Sequence, residues 1–262
     1  MAIGKATLLK QLDTVPKNWY SIYQWKPTSR IGYTEWIAER IEASVNDILL
    51  VEKDLRRRSF RLADHRGQIK LQTGIRQLTE KRLVRAMFNL SDVPTLGRII
   101  DYEVPLKEND NAKHGDIDLL CLSSGSVLCV EAKKPGASES ILKAILQAFV
   151  YTSLVATRRE AFLKDYNLPP SVKLTPTVLT FASAQSARQI RERNRFPNLW
   201  RLLSALNVRL VEKGIGAFRF FIVENPWTEL NTCLMTSAQP NGDVKALFCD
   251  GFVLNVVEYP TS

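Results

Sequence analysis

The stretch HGDIDLLCLSSGSVLCVEAKK, residues 114–134, decides the fold. Two apolar runs, Ile117–Leu122 and Val127–Lys133, flank a Ser/Gly turn and carry Asp118, Glu131 and Lys133 among aliphatic neighbours. With Ser124 and Gly125 as a two-residue hairpin turn, positions equidistant from the turn face one another, so Asp118 stands opposite Glu131. Directly opposed residues of an antiparallel pair point to the same side, so the two carboxylates converge, with Lys133 two residues further along that side. A turn at Gly125 and Ser126 keeps all three together, whereas a three-residue loop separates them unless a bulge compensates. The opposite face should carry Ile117, Leu119 and Cys121 against Leu128, Val130 and Ala132. The charged face also holds Leu120, Leu122, Val127 and Cys129. Strands apolar on both faces are covered on both, and a desolvated pair of like charges is costly without a cation. Either a hard, oxygen-seeking divalent ion, Mg²⁺ above all, or ion pairs to Lys133, Lys134 or an arginine would supply it.

Outward from the hairpin, apolar spacing predicts an amphipathic helix from Thr34 to about Arg57, through Ile37, Ile41, Val45 and Ile48, and a second from about Gln77 to Leu90. Strands follow at Arg98–Leu106, Ile117–Leu122 and Val127–Lys133, then a helix near Ser138–Ala156 and a strand at Leu174–Ala182. The order αβββαβ gives an α/β fold, a central mixed sheet flanked by helices. An Arg-rich helix near Ala187–Leu206 and β-like runs Ala217–Val223 and Ala246–Val257 complete the chain. Trp19, Tyr20, Tyr23 and Trp25 read as packing aromatics, with base stacking as the alternative.

No run of the 262 residues approaches the roughly 18 apolar positions that cross a membrane, and Met1–Leu12 lacks a signal-type apolar core, so an intracellular chain is expected. Cys121, Cys129, Cys233 and Cys249 have no metal-type spacing and only His65 and His114 accompany them, which predicts free thiols. The net charge of +9 is concentrated: Lys53–Arg85 holds eleven Lys/Arg against three acidic residues. Arg56, Arg57, Arg58, Arg61, Arg66, Lys70 and Arg76 form a footprint for a polyanion or else a solvated helix face. A second group, Arg188, Arg191, Arg193 and Arg195, follows later.

Gly115-Asp116-Ile117-Asp118, a short hairpin and Glu131-Ala132-Lys133 resemble the motif of the PD-(D/E)XK nuclease superfamily, the restriction endonuclease-like fold. The likeness extends to Gln147 and Tyr151 on the next helix, in a QxxxY arrangement similar to that of RecB-like members; with Lys143 they share one helical stripe. It also extends to Glu80, which occupies the place of the family's glutamate on the helix before the first strand; Glu39 is a weaker substitute, and dipole stabilisation of a helix start is the plain alternative for Glu80. Ile117 replaces the family's proline, and Asp116 is an alternative ligand. The core match covers roughly residues 77–182. The resemblance divides the chain into a mainly helical basic region, 1–74, and a nuclease-like domain, 75–262.

That resemblance implies Mg²⁺-dependent hydrolysis of phosphodiester bonds, with Mn²⁺ as a substitute and endonucleolytic cutting. Asp118, Glu131, the Ala132 carbonyl and Glu80 would hold the metal, which activates water and neutralises transition-state charge. Lys133 would orient that water or stabilise the developing charge, and Gln147 and Tyr151 would support the site. Arg56, Arg57, Arg58, Arg61 and Lys143 would contact nucleic acid, DNA before RNA by the family's habit. A homodimer would allow double-strand cuts. His114 reads as a flanking surface histidine. A nucleic-acid-binding or scaffold module that kept the fold without cleaving is the competing class. A metal-dependent enzyme on a small phosphorylated substrate is a third, and it leaves the basic segment unexplained.

Overall fold

The computed structural model describes residues 31–43, 45, 57–62, 80–106, 115–238 and 244–261. Trp19, Tyr20, Tyr23, Trp25, Arg56, His65, Arg66, Lys70, Arg76 and His114 lie outside these residues.

Seven strands form a mixed sheet in the order β1 (Asp92–Val93), β2 (Gly97–Pro105), β3 (Asp116–Ser123), β4 (Ser126–Ala132), β5 (Lys173–Phe181), β6 (Arg219–Val223) and β9 (Val256–Tyr259). The β4–β5 and β5–β6 pairs are parallel and the others antiparallel. A separate hairpin, β7 (Leu234–Ala238) and β8 (Val244–Phe248), forms a two-stranded sheet.

The crossover between β4 and β5 runs through α3 (Ile141–Thr157), started by Ser140, whose side chain accepts from Leu142 N–H. Helix α3 is buried along nearly its whole length because it lies between the sheet and two further helices. These are α6 (Pro197–Glu212) and α1 (Ile31–Ala43), which pack on each other, with Ile37, Ala38 and Ile41 in the same core as Leu120, Val127 and Cys129. The other face of the sheet is closed by α2 (Glu80–Leu90), through Leu83, Val84 and Met87, and by the β7–β8 hairpin. Among the described residues no single helix is long and apolar enough to cross a membrane; α3 meets the short α4 (Arg159–Asp165) at a 90° bend.

Strands near the site fall within a residue or two of their predicted bounds. Elsewhere the chain departs from expectation. The first helix is described over Ile31–Ala43; Val45 sits in a 3-10 turn, the rest of the predicted helix up to residue 56 lies outside the described residues, and Arg57–Leu62 is not helical. The predicted Arg-rich helix is three pieces: α5 (Gln185–Arg191), a 3-10 turn at Arg193–Arg195, and α6 beginning at Pro197. Proline cannot continue a helix but suits its first turn, so Pro197 ends one piece and begins the next. Helix α6 has no side-chain cap from its own N-cap residue, Phe196. Instead the Glu35 carboxylate, on α1, accepts from Asn198 N–H (2.8 Å) and Leu199 N–H (3.1 Å). The predicted strand Ala246–Val257 is split between β8 and β9, with Gly251 at φ 75° between them. Helices α4 and α7 (Trp227–Cys233) were not foreseen.

All four cysteines are free, Cys121 and Cys129 fully buried. Burial pushes the Cys129 thiol up to about 12. The Cys233 and Cys249 thiols hydrogen-bond each other, which pushes Cys233 up to about 11.

Candidate active site

The β3–β4 hairpin has the register that the two-residue turn predicts, from Ser123↔Ser126 at the turn to Leu119↔Val130. Ser124 and Gly125 take φ 45° and 76°, the twisted turn that matches the natural twist of paired strands. Pairing stops at Leu119↔Val130, one step short of Asp118 and Glu131. Antiparallel geometry would next join the Ala132 N–H to the Ile117 carbonyl. The Asp118 Oδ2 takes that N–H instead, at 2.8 Å, so the strands part where the charges begin. Ile117 leaves its expected companions here and packs with Leu120 and Val127 in the α3 core, while Leu119 and Cys121 stay on the α2 side.

Glu131 and Lys133 follow on the freed strand end, 4% and 2% exposed, and the Lys133 ammonium donates to Glu131 Oε1 at 2.5 Å. The Lys133 N–H remains tied to the sheet through the Leu179 carbonyl at 2.8 Å. Beyond the pair stands a carboxylate the sequence reading missed. Glu139 lies 3.6 Å from the Lys133 ammonium through one oxygen and 2.5 Å from the Lys143 ammonium through the other. The result is an alternating chain, Glu131–Lys133–Glu139–Lys143. The i,i+4 spacing of Glu139 and Lys143 was the one available signal.

Helix α2 brings Glu80 to the same place: its Oε2 accepts from Lys134 N–H at 3.1 Å, and its charge is felt at Asp118, Glu131 and Lys133. Glu39 is exposed on α1, so Glu80 is the helix glutamate that reaches the cluster. Helix α3 carries Lys143, Gln147 and Tyr151. Gly115 sits so close to Tyr151 that a Cβ there would lie 2.4 Å from the phenol oxygen, which ties the start of β3 to the helix. The Gln147 carbonyl oxygen is buried without a hydrogen-bond partner. Asp116 opens β3 opposite Pro105.

The electrostatics follow from burial. Desolvation, then the Glu131 charge, holds the Asp118 carboxyl well above the usual carboxylate range, against the pull of Lys133 and the Ala132 N–H. Desolvation also raises Glu131, and Lys133 opposes it. At Lys133 burial favours loss of the proton, but Glu131, Glu80 and Asp118 together outweigh it and keep the ammonium charged. Burial would raise Glu139, yet Lys143 and Lys133 bring it below its ordinary value.

Among the described residues no three His, Cys, Asp or Glu side chains form a group that could hold a metal ion. The pair Asp118 and Glu131 is an all-oxygen donor set. Mg²⁺ asks for such a set, since it binds through one or two carboxylates and keeps several waters. The donors present fit that ion and no sulfur- or nitrogen-seeking one.

The predicted nucleic-acid contacts separate. Lys143 belongs to the cluster. Exposed Arg57, Arg58 and Arg61 lie at the other end of α3, where Arg158, next after the helix, donates to the Arg57 carbonyl at 3.1 Å. The later arginines lie on the cluster's side of the sheet: Arg191 donates to the Ala182 carbonyl, just past β5, and Gly136 N–H reaches Ser183. Arg188 and Arg195 both pair with Glu192.

No protein-family model, curated protein or solved structure matches this chain.

Proposed function

We propose that this chain is a metal-dependent nuclease of the PD-(D/E)XK kind, with a restriction endonuclease-like core, that hydrolyses phosphodiester bonds in nucleic acid, DNA before RNA. The observation that carries the reading is the parting of β3 and β4 at Asp118, which leaves Asp118, Glu131 and Lys133 converging at a strand end beside Glu80. The αβββαβ order around the mixed sheet supports it.

Asp118 and Glu131, with the Ala132 carbonyl, would hold Mg²⁺, and Glu80 would lie beside it. The bound ion would lower the pKa of a water and neutralise charge at the phosphorus. Everything else falls to the chain. The Ala132 N–H fixes one Asp118 oxygen and leaves the other for binding. Lys133 is a charged point donor held in a dry place, where a positive charge directed at developing negative charge counts for most. Glu139 is a second resting place for that ammonium when Glu131 is engaged. Tyr151 and Gly115 hold β3 against α3, so the Asp118 side of the cluster cannot drift from the Lys143 side.

One observation favours a second reading, a binding module that does not cut: Lys133 already neutralises Glu131 at 2.5 Å, so the cluster has a cation of its own. The two readings part in a cleavage assay on plasmid, linear duplex, single-stranded DNA and RNA with Mg²⁺, Mn²⁺ or EDTA. Cutting that needs the ion and falls at least about a hundredfold in Asp118→Asn and Lys133→Ala is expected. Salt-sensitive binding with no cutting on any substrate would leave the binding module.

A further inference from the structure

We infer that Cys233 and Cys249 form an oxidation site, a thiol pair placed to close into a disulfide when a low-molecular-weight disulfide reaches it, which pins the β7–β8 hairpin at the end of α7. The inference is independent of the nuclease reading.

Strand register brings the two together. The β7–β8 pairing runs from Ala238↔Val244 to Leu234↔Phe248. One step further Cys233 stands directly opposite Cys249, and the strands still touch there: the Cys249 N–H donates to the Cys233 carbonyl at 2.8 Å. Directly opposed residues of an antiparallel pair put their side chains on the same side. The Cα atoms of a hydrogen-bonded pair lie about 5.5 Å apart, inside the range of about 4.4 to 6.8 Å that a disulfide spans. The two thiols hydrogen-bond each other.

Both backbones are held at that spot. Cys233 ends α7, and the N–H of the next residue, Leu234, donates to the Leu230 carbonyl. Cys249 opens a turn in which the Phe252 N–H returns to its carbonyl at 3.0 Å, with Gly251 at φ 75°. Phe248 and Phe252 stack with ring centroids 4.7 Å apart. Leu234 and Phe248, the chain neighbours of the two cysteines, share a buried core with Leu83, Val84 and Met87 of α2. The sulfurs therefore meet on a seated frame. Access separates this pair from the other thiols. Cys233 and Cys249 are half-buried, whereas Cys121 and Cys129 are fully buried and belong to the cores on opposite faces of the sheet.

The chemistry is thiol–disulfide exchange. One protein thiolate attacks a sulfur of the oxidant and expels half of it as a thiolate, leaving a mixed disulfide. The second cysteine gives up its proton and attacks the protein sulfur of that mixed disulfide, which expels the other half. Two protein thiols are oxidised to one disulfide, and the oxidant is reduced to two thiols. Because the cysteines face each other, the second step is intramolecular and fast, so the mixed form does not accumulate. The new bond closes a loop of about 15 residues and removes freedom from the unfolded hairpin.

The test treats the full chain with oxidised glutathione at about pH 8.5, quenches with acid, and reads intact mass and unreduced peptides. Wild type should lose about 2 Da and yield one linked peptide pair, Cys233 to Cys249. The melting temperature of the oxidised chain should stand at least about 5 °C above that of the reduced chain, and dithiothreitol should reverse both changes. Cys249→Ser and Cys233→Ser should each keep a glutathione on the remaining cysteine and show no such rise; their melting temperatures before oxidation report that they fold. A lasting glutathione adduct on wild type, a disulfide between two copies of the chain, a link to Cys121 or Cys129, or no change in mass would overturn the inference. A Cys233–Cys249 bond that leaves the melting temperature where it was would overturn the pinning of the hairpin.

Discussion

The two ends of α3 both gather charge, but in opposite states. At the start of the helix, Glu131 and Lys133 are almost wholly buried, and their charges are balanced within the protein at hydrogen-bond distance. At its finish, Arg57, Arg58 and Arg61 are exposed to water and salt. Desolvation makes the first group a matter of folding as well as chemistry, since removing one member strands the rest. The second group costs the fold little and acts through long-range attraction, which salt screens.

The largest expected contrast comes from taking one cation from each end. Lys133→Ala should lower the unfolding free energy in EDTA by about 3 to 5 kcal/mol, because Glu131 and Asp118 lose their buried counter-charge. Arg57→Ser should stay within about 0.5 kcal/mol. Chemical denaturation of both checks this, and a loss below about 1 kcal/mol for Lys133→Ala would erase the difference between the ends.

Next in size is the junction that holds the buried end together. Gly115→Ala drives a methyl group to within 2.4 Å of the Tyr151 oxygen and should cost about 1 to 3 kcal/mol. Tyr151→Phe removes the oxygen, so the double variant should recover much of that loss. A strictly additive double-mutant cycle would show that the contact is not what couples strand to helix.

The smallest effect tests the sign of the buried charge. The Asp118 carboxyl is held above its usual range, so the folded chain binds that proton more tightly than the unfolded one does. Its contribution to stability is full below the ordinary carboxylate pKa of about 4 and is lost as pH rises through the folded value. Asp118→Asn has no such loss and can still accept the Ala132 N–H. In EDTA its stability advantage over wild type should therefore open by about 1 kcal/mol between pH 4 and pH 8, and Mg²⁺ should close it by stabilising wild type alone. A gap that is equal at both pH values would mean that Asp118 is not desolvated.

The buried end was largely legible in the sequence because charges among aliphatic residues are anomalous, and a two-residue turn fixes which of them meet. The parting of the strands at Asp118 was not, because a carboxylate taking a ladder hydrogen bond looks in sequence like continued alternation. Glu139 escaped for a related reason: the path of Lys134–Ser140 brings it back to Lys133, and no local pattern encodes that return. At the exposed end the charge was legible and its location was not. Phe60 alone carries the information, and its partners Phe162 and Asp165 are more than a hundred residues away. The break at Pro197 was there to be read, since proline at a first helical position marks a start. The Arg-rich run on both sides of it reads as one helix only if that residue is passed over.

Glu35 gives the chain a schedule. The first turn of α6 is capped from α1, across 163 residues of sequence. At ordinary rates of synthesis, about 10 to 30 s separate the emergence of the cap from that of the helix it serves. Through that interval Ile37 and Ile41 have no α6 to cover them, so the amphipathic helix leaves the ribosome as an exposed apolar face awaiting its partner.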